Sequence, residues 1–286
     1  MKNCTNNKNI NIIKDEVFEG ERPLFKSSFT NLINCKFTKG ESALKFAKEV
    51  NAIDCEFSSK YLFWHDTNIN IQKSQFFEGG RASIWYSNEI LLEDSKVDAP
   101  KIFRDAKNII IKNSLLNTNE TLWDCKNITI KNSKFTGDYL LLHSSDILLD
   151  DFFLDGNYSF QHTNNMTVKN ANINSKDAFW NSENVTVYDS IIEGEYLGWY
   201  SKNLKFVNCK IIGTQPLCYI DNLILENCEM IDTDLAFEYS TLTADITTSI
   251  QSVKNPISGF IKAKNIEELI LDDEKVIHQE LKIITE

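Results

Sequence analysis

Residues 153–171 read FLDGNYSFQHTNNMTVKNA, residues 172–190 read NINSKDAFWNSENVTVYDS, and residues 191–209 read IIEGEYLGWYSKNLKFVNC. Laid under one another, the three agree column by column. Each carries an asparagine followed by alternating apolar residues: Asn165-Met-Thr-Val168, Asn184-Val-Thr-Val187 and Asn203-Leu-Lys-Phe206, with Asn222-Leu-Ile-Leu225 in the next block. The period of 19 residues extends to 134–152 and 210–228, and upstream to 96–114 and 115–133. Residues 56–74 fit the same frame, and 75–95 carry two extra residues. A fixed period near 20 makes each unit one coil of a solenoid, unable to bury its core alone.

Within a block numbered 1 to 19, column 2 is apolar: Phe57, Val97, Leu116, Phe135, Leu154, Ile173, Ile192, Ile211 and Met230. Columns 14 and 16 are apolar as well (Ile109/Ile111, Ile128/Ile130, Leu204/Phe206), and column 8 is mostly Phe or Leu. The i, i+2 spacing belongs to strands, not helices. It predicts three short strands per coil, near columns 1–3, 6–10 and 14–18. Gly137, Gly156, Gly194 and Gly213 share column 4, where a positive φ is cheap. Column 13 is nearly all Asn, from Asn68 to Asn222, with Asp146 once. Asn tolerates the left-handed region, and stacked amides bond to one another as in cross-β ladders. The expected fold is all-β: a single-domain right-handed parallel β-helix over residues 1–286, of about eleven coils. Residues 1–15 form an N-terminal cap, 16–240 the repeat coils and 241–286 a C-terminal cap, since a solenoid must protect its edges.

The chain has 286 residues, 42% of them hydrophobic, and a net charge of −11. That balance disfavours nucleic acid, whose binding needs Lys and Arg to displace counterions. No secretory signal opens the chain and no apolar run spans a bilayer, so a cytoplasmic protein without membrane contact is expected. Seven cysteines are odd in number, lack CxxC spacing, and stand where other repeats have Ser or Ala; they read as small inward residues, not disulfides.

Column 9 holds all five tryptophans: Trp64, Trp85, Trp123, Trp180 and Trp199, with Arg104, Leu142, Gln161, Cys218 and Phe237 on the other coils. If column 8 points inward, column 9 points out, and a row of exposed indoles is a binding surface. Three readings are open, one of them that the indoles point inward as core and column 8 outward. In the other two the indoles stack on sugar rings, or they meet a second subunit or another part of the chain. Column 10 is polar: His65, Tyr86, Asp105, Asp124, His143, His162, Asn181, Tyr200, Tyr219 and Glu238. Carboxylates one coil apart at about 5 Å raise one pKa and make an acid–base pair. An Asp–Asp–His–His run also suits a divalent metal, and a solvated polar ladder is the plain alternative. Arg104, Lys101 and Arg81 fall beside Asp105 and Asp124 in this frame. A second, weaker cluster comprises Lys176, Asp177, Trp180, Asn181, Glu195, Tyr196 and Tyr200.

Five stretches carry a family resemblance: Phe18-Glu-Gly-Glu-Arg-Pro-Leu-Phe25, Lys176-Asp-Ala-Phe-Trp-Asn181, Gly194-Glu-Tyr-Leu-Gly-Trp-Tyr200, Gly213-Thr-Gln-Pro-Leu-Cys218 and Ser252-Val-Lys-Asn-Pro256. With them the chain resembles an uncharacterised bacterial domain-of-unknown-function family of the pectin-lyase-like superfamily. The resemblance implies a β-helix and no established activity. If the protein is an enzyme, it implies a polysaccharide lyase or glycoside hydrolase. The expected function is binding, or processing, of a carbohydrate or glycoconjugate along columns 9 and 10; the alternative is a non-enzymatic scaffold that forms homo-oligomers through the Trp stripe. The expected catalytic residues are Asp105, Asp124, His143, Arg104 and Lys101. The substrate-binding ones are Trp64, Trp85, Trp123, Trp180, Trp199, Tyr200, His162 and Arg81. No metal ligands are assigned, and the sequence names no cofactor.

Overall fold

The computed structural model describes residues 10–274, 276 and 280–286. The chain divides into two compact units, Met1–Thr118 and Asn119–Glu286, each a right-handed parallel β-helix. In the first unit Val50 pairs with Ile69. In the second, Ile128, Ile147, Met166, Val185, Leu204 and Leu223 stack one above the next, each 19 residues on. The two extra residues of 75–95 appear as a step of 21, Gln72 to Glu93, and a short 3-10 turn at Glu78–Gly80 takes up the slack.

The inward columns are the expected ones. Column 2, from Phe57 to Met230, is at most 2% exposed, and Phe63, Phe103, Leu122, Leu141, Phe160, Phe179 and Leu217 of column 8 are fully buried. Column 13 is left-handed, with φ of 55° at Asn165 and 53° at Asn203. Its amides form a ladder: Asn222 Nδ2 donates to Asn203 Oδ1, and Asn203 Nδ2 to Asn184 Oδ1, both at 2.8 Å. A second ladder, unforeseen, runs along column 18, where Asn227 donates to Asn208 and Asn208 to Asp189, both at 2.9 Å. Column 4 glycines answer to space more than to φ. A Cβ on Gly156 would lie 2.0 Å from the Gly137 carbonyl oxygen, because successive coils touch backbone to backbone there.

Two expectations need correction. The middle segment, columns 6–10, is not a strand. Tyr158, Phe160 and His162 have φ of 60°, 63° and 56°, so alternate residues are left-handed. Their amides point in opposite directions: Phe160 N–H donates to Leu140 O on the coil before, and His162 N–H to Trp180 O on the coil after, both at 2.8 Å. Left-handed backbone costs roughly 1–2 kcal/mol per residue; the inter-coil hydrogen bonds and the burial of column 8 offset it. Side chains do not alternate along this ribbon: columns 7 and 8 are both buried, as at Ser159 and Phe160, and columns 9 and 10 both face outward, as at Gln161 and His162.

The second correction concerns the ends. The described chain makes about 14 turns, not eleven. Coiling begins at Asn11–Lys14, within the expected N-terminal cap, with Asn11 opposite Thr30. After residue 240 the strands continue with other spacings: Thr241 opposite Ser258, Ser249 opposite Asn265, and Gly259 opposite Leu281. The period of 19 is lost there and the coil is kept.

Six cysteines, Cys35, Cys55, Cys125, Cys209, Cys218 and Cys228, are buried and free; Cys4 lies outside the described residues. Burial pushes the Cys55 thiol up to about 11 and those of Cys209 and Cys218 up to about 12, so they are inert inward residues.

Candidate functional site

Column 9 faces outward but is not open. All five tryptophans are half-buried. Each indole N–H donates to a carbonyl of the following coil: Trp64 to Ala82 and Trp85 to Lys101 in the first unit, Trp123 to Tyr139, Trp180 to Tyr196 and Trp199 to Gln215 in the second, at 2.6–2.8 Å. The faces stack on one another. Trp180 and Trp199 lie 5.7 Å apart with planes 1° from parallel, and Trp64 and Trp85 lie 5.4 Å apart at 10°. Lys45 sits 5.1 Å over Trp64 and Arg104 4.8 Å over Trp85, closing both outer faces of that pair. The indoles therefore staple coil to coil and show their edges. Phe237 leaves the stripe. Its N–H donates to Pro216 O, one residue out of register, and its ring is fully buried. Glu238 takes its place in column 9, and Tyr239 continues column 10, its ring 5.5 Å from Tyr219.

The expected catalytic residues divide between the units. Lys101, Arg104 and Asp105 belong to the first, Asp124 and His143 to the second. Lys101 and Asp105 are exposed, while Arg104 is half-buried over Trp85. In the second unit His143 Nδ1 lies 3.5 Å from Asp124 Oδ1, with both side chains about half exposed (52% and 46%). The His143 and His162 rings follow at 4.9 Å. Burial, and then the charge of His143, hold the His162 imidazole below its ordinary range. Asp124, His143 and His162 thus form an exposed ladder. Among the described residues no group of three His, Cys, Asp or Glu side chains is arranged to hold a metal ion. Arg81 is exposed beside the 3-10 turn.

The weaker cluster is the one with a cavity. A groove of about 460 Å³ in the second unit is lined by Tyr158, Lys176, Asp177, Trp180, Tyr196, Trp199 and Gln215. It runs between columns 6 and 9, not 9 and 10; Tyr200 and His162 lie outside its lining. Left-handed backbone at Tyr158, Asp177, Tyr196 and Gln215 fixes its column 6 wall. Lys176 bonds Glu195 at 3.2 Å and lies 5.2 Å over the Tyr196 ring. Asp177 is only 8% exposed, and its Oδ1 has no hydrogen-bond partner. Burial raises its carboxyl above the usual range, Lys176 opposes that, and Glu195 adds to it. A mostly desolvated carboxyl with an unused oxygen thus borders a groove of tyrosines and indole edges, an apolar wall with a few fixed polar groups. Sequence reasoning gave this cluster second place because it ranked sites by column 10 carboxylates. The discriminating feature, burial of Asp177 beside the inward Ala178 and Phe179, belongs to the fold and is not carried by residue types.

A family described as "Protein of unknown function (DUF3737)" matches residues 11–284, so the chain belongs to it. No relative among curated protein sequences matches the chain. Three solved structures are similar to it. The surface adhesin PfbA of Streptococcus pneumoniae has 11% identity, a TM-score of 0.49, and coverage of 83% of this chain and 84% of that one. The mannuronan C-5 epimerase AlgE4 A-module of Azotobacter vinelandii has 8% identity, a TM-score of 0.31, and coverage of 96% and 91%. The tailspike of Escherichia coli bacteriophage HK620, in complex with a hexasaccharide, has 9% identity, a TM-score of 0.33, and coverage of 91% and 68%. Likenesses at this level say nothing of what the chain does.

Proposed function

We propose that this DUF3737 member binds a carbohydrate in the groove of its second unit. One observation carries the reading. Tyrosine rings and indole edges stand in one groove beside the polar ends of Lys176, Asp177 and Gln215, and the Asp177 carboxyl at its wall is buried with an unpartnered Oδ1. Sugars offer apolar C–H faces and many hydroxyls, and a wall of tyrosine rings and indole edges beside fixed acceptors and donors matches both. A flat, closed-packed indole stack does not supply a stacking platform by itself. Tyr158 is itself stacked on Tyr139 at 4.9 Å and Tyr196 carries Lys176 5.2 Å over its ring, so tyrosines and tryptophans alike meet the ligand through ring edges and the tyrosine hydroxyls. The Asp124–His143–His162 ladder is a solvated polar edge in this reading, and the protein is a binding module.

A glycan array tests this. The wild-type protein is expected to retain a restricted set of oligosaccharides, and Asp177→Ala and Tyr158→Ala to lose them. Alanine at Asp177 removes both acceptor oxygens, so a loss of about 10-fold or more in affinity is expected for a buried hydrogen bond. No retention of any glycan, or retention unchanged in both variants, would remove this groove from consideration.

A further inference from the structure

The first unit carries a different surface, with opposite charge to the chain as a whole. A groove of about 540 Å³ is lined by Phe25, Lys26, Ser28, Phe46 and Lys48. Both phenylalanines are exposed, 40% and 41%, with rings 6.0 Å apart at 81°, so they form a corner and not a plate. Their faces are taken. Arg22 and Lys26 lie 5.7 and 5.2 Å over Phe25, Lys45 lies 5.5 Å over Phe46, and His65 stacks on Phe46 at 5.0 Å. None of Arg22, Lys26, Lys45 and Lys48 makes an ion pair among the described residues. Four uncompensated cations around two ring edges, in a chain of net charge −11, call for carboxylates next to apolar side chains.

The same chain supplies that chemistry in its second unit. Strand Asn265–Ile270 pairs on one side only, with Ser249–Lys254, among the described residues. On it and just after it Glu267 and Glu268 are exposed, and so are Leu269 and Leu271, each at 44%. Neither glutamate makes an ion pair among the described residues. An unprotected edge strand with exposed leucines is a pairing surface unless something covers it.

We propose that the Phe25–Phe46 groove of one copy receives the Glu267–Leu271 edge of a second copy. Leu269 or Leu271 fills the ring corner, and Lys26 and Lys48 face the two glutamates. The contact joins unlike surfaces, so it is heterologous and propagates unless rotation closes a ring. It is independent of the carbohydrate groove, whose residues it does not use.

Sedimentation velocity of the full chain over a concentration series, at low and high salt, tests the proposal. Self-association is expected, weakening as salt rises. Lys26→Glu with Lys48→Glu should weaken it by about 10-fold or more through like-charge juxtaposition, and Glu267→Lys with Glu268→Lys should do the same. Mixing the two double variants should restore association, because each reversed surface then meets its complement. All four positions are exposed, so folding is not at stake, and far-ultraviolet circular dichroism checks it. A monomer at every concentration would overturn the proposal. So would association untouched by the reversals, or no recovery on mixing.

Discussion

Replacing Asp66 with serine is expected to stabilise the protein, and to do so most strongly at high pH. Asp66 occupies column 11, where Ser87, Ser144, Ser182, Ser201 and Ser240 stand on other coils. The hydroxyls of Ser87, Ser144, Ser201 and Ser240 accept a backbone N–H and donate to a backbone carbonyl; Ser144 Oγ accepts from Cys125 N–H at 2.9 Å and donates to Leu122 O at 2.6 Å. Asp66 Oδ1 takes over the first task, accepting from Ala47 N–H at 2.9 Å. Its Oδ2 is buried with no partner, and the residue is 1% exposed. Desolvation raises the carboxyl from 3.8 to about 8, against the pull of the Ala47 and Phe46 amides. The folded state thus keeps a proton that the unfolded chain releases near pH 3.8. Stability from this group is full below that pH, declines as pH rises, and is lost by pH 8. Each pH unit in the window costs about 1.4 kcal/mol. Relative to Asp66→Ser, the wild-type protein should therefore lose about 4 kcal/mol between pH 5 and pH 8. Urea denaturation of both proteins at the two pH values reads this directly. Parallel pH profiles would mean that Asp66 is not held neutral by burial.

Trp180→Ala is expected to lower stability by roughly 2–4 kcal/mol. The indole covers part of the coil surface, stacks on Trp199 at 5.7 Å and donates to Tyr196 O at 2.8 Å. Alanine removes all three contributions and leaves a backbone carbonyl unsatisfied. Trp180→Phe keeps a ring over the coil and loses the hydrogen bond, about 1 kcal/mol, with part of the covered area, so its loss should fall between the wild type and Trp180→Ala. A melting curve for Trp180→Ala that overlays the wild type would show that the stripe is surface decoration and not a staple.

The fold was legible because a 19-residue period leaves few alternatives. Phe57, Phe135 and Ile173 had to point one way, and Asn165, Asn184 and Asn203 had to turn in the same place. What alternation does not report is backbone handedness. In a strand Tyr158, Phe160 and His162 would share one face, yet Phe160 is buried, His162 is exposed and each has a positive φ. Bulky residues in that region run against local propensity; only the stacked coils on either side hold them there. The site was less legible for a related reason. Column position places Trp180 outside, but whether its face is open depends on Trp199 and Gln161 above and below it. Asp66 was the missed signal: a lone acid in a column otherwise of Ser, Ala, Cys, Thr and one Ile. Residues 241–270 coil at spacings of 16 and 17, which a search for 19 cannot see.

Tryptophan emission offers the most direct test of the carbohydrate reading. Trp180 and Trp199 line the groove, so the protein titrated with the oligosaccharide that the array selects should show a saturable spectral change. Tyr158→Ala and Asp177→Ala should abolish that change while the emission of the unliganded protein stays that of the wild type. A saturable change that persists in both variants, or binding detected with no change in emission, would place the ligand elsewhere and contradict the account.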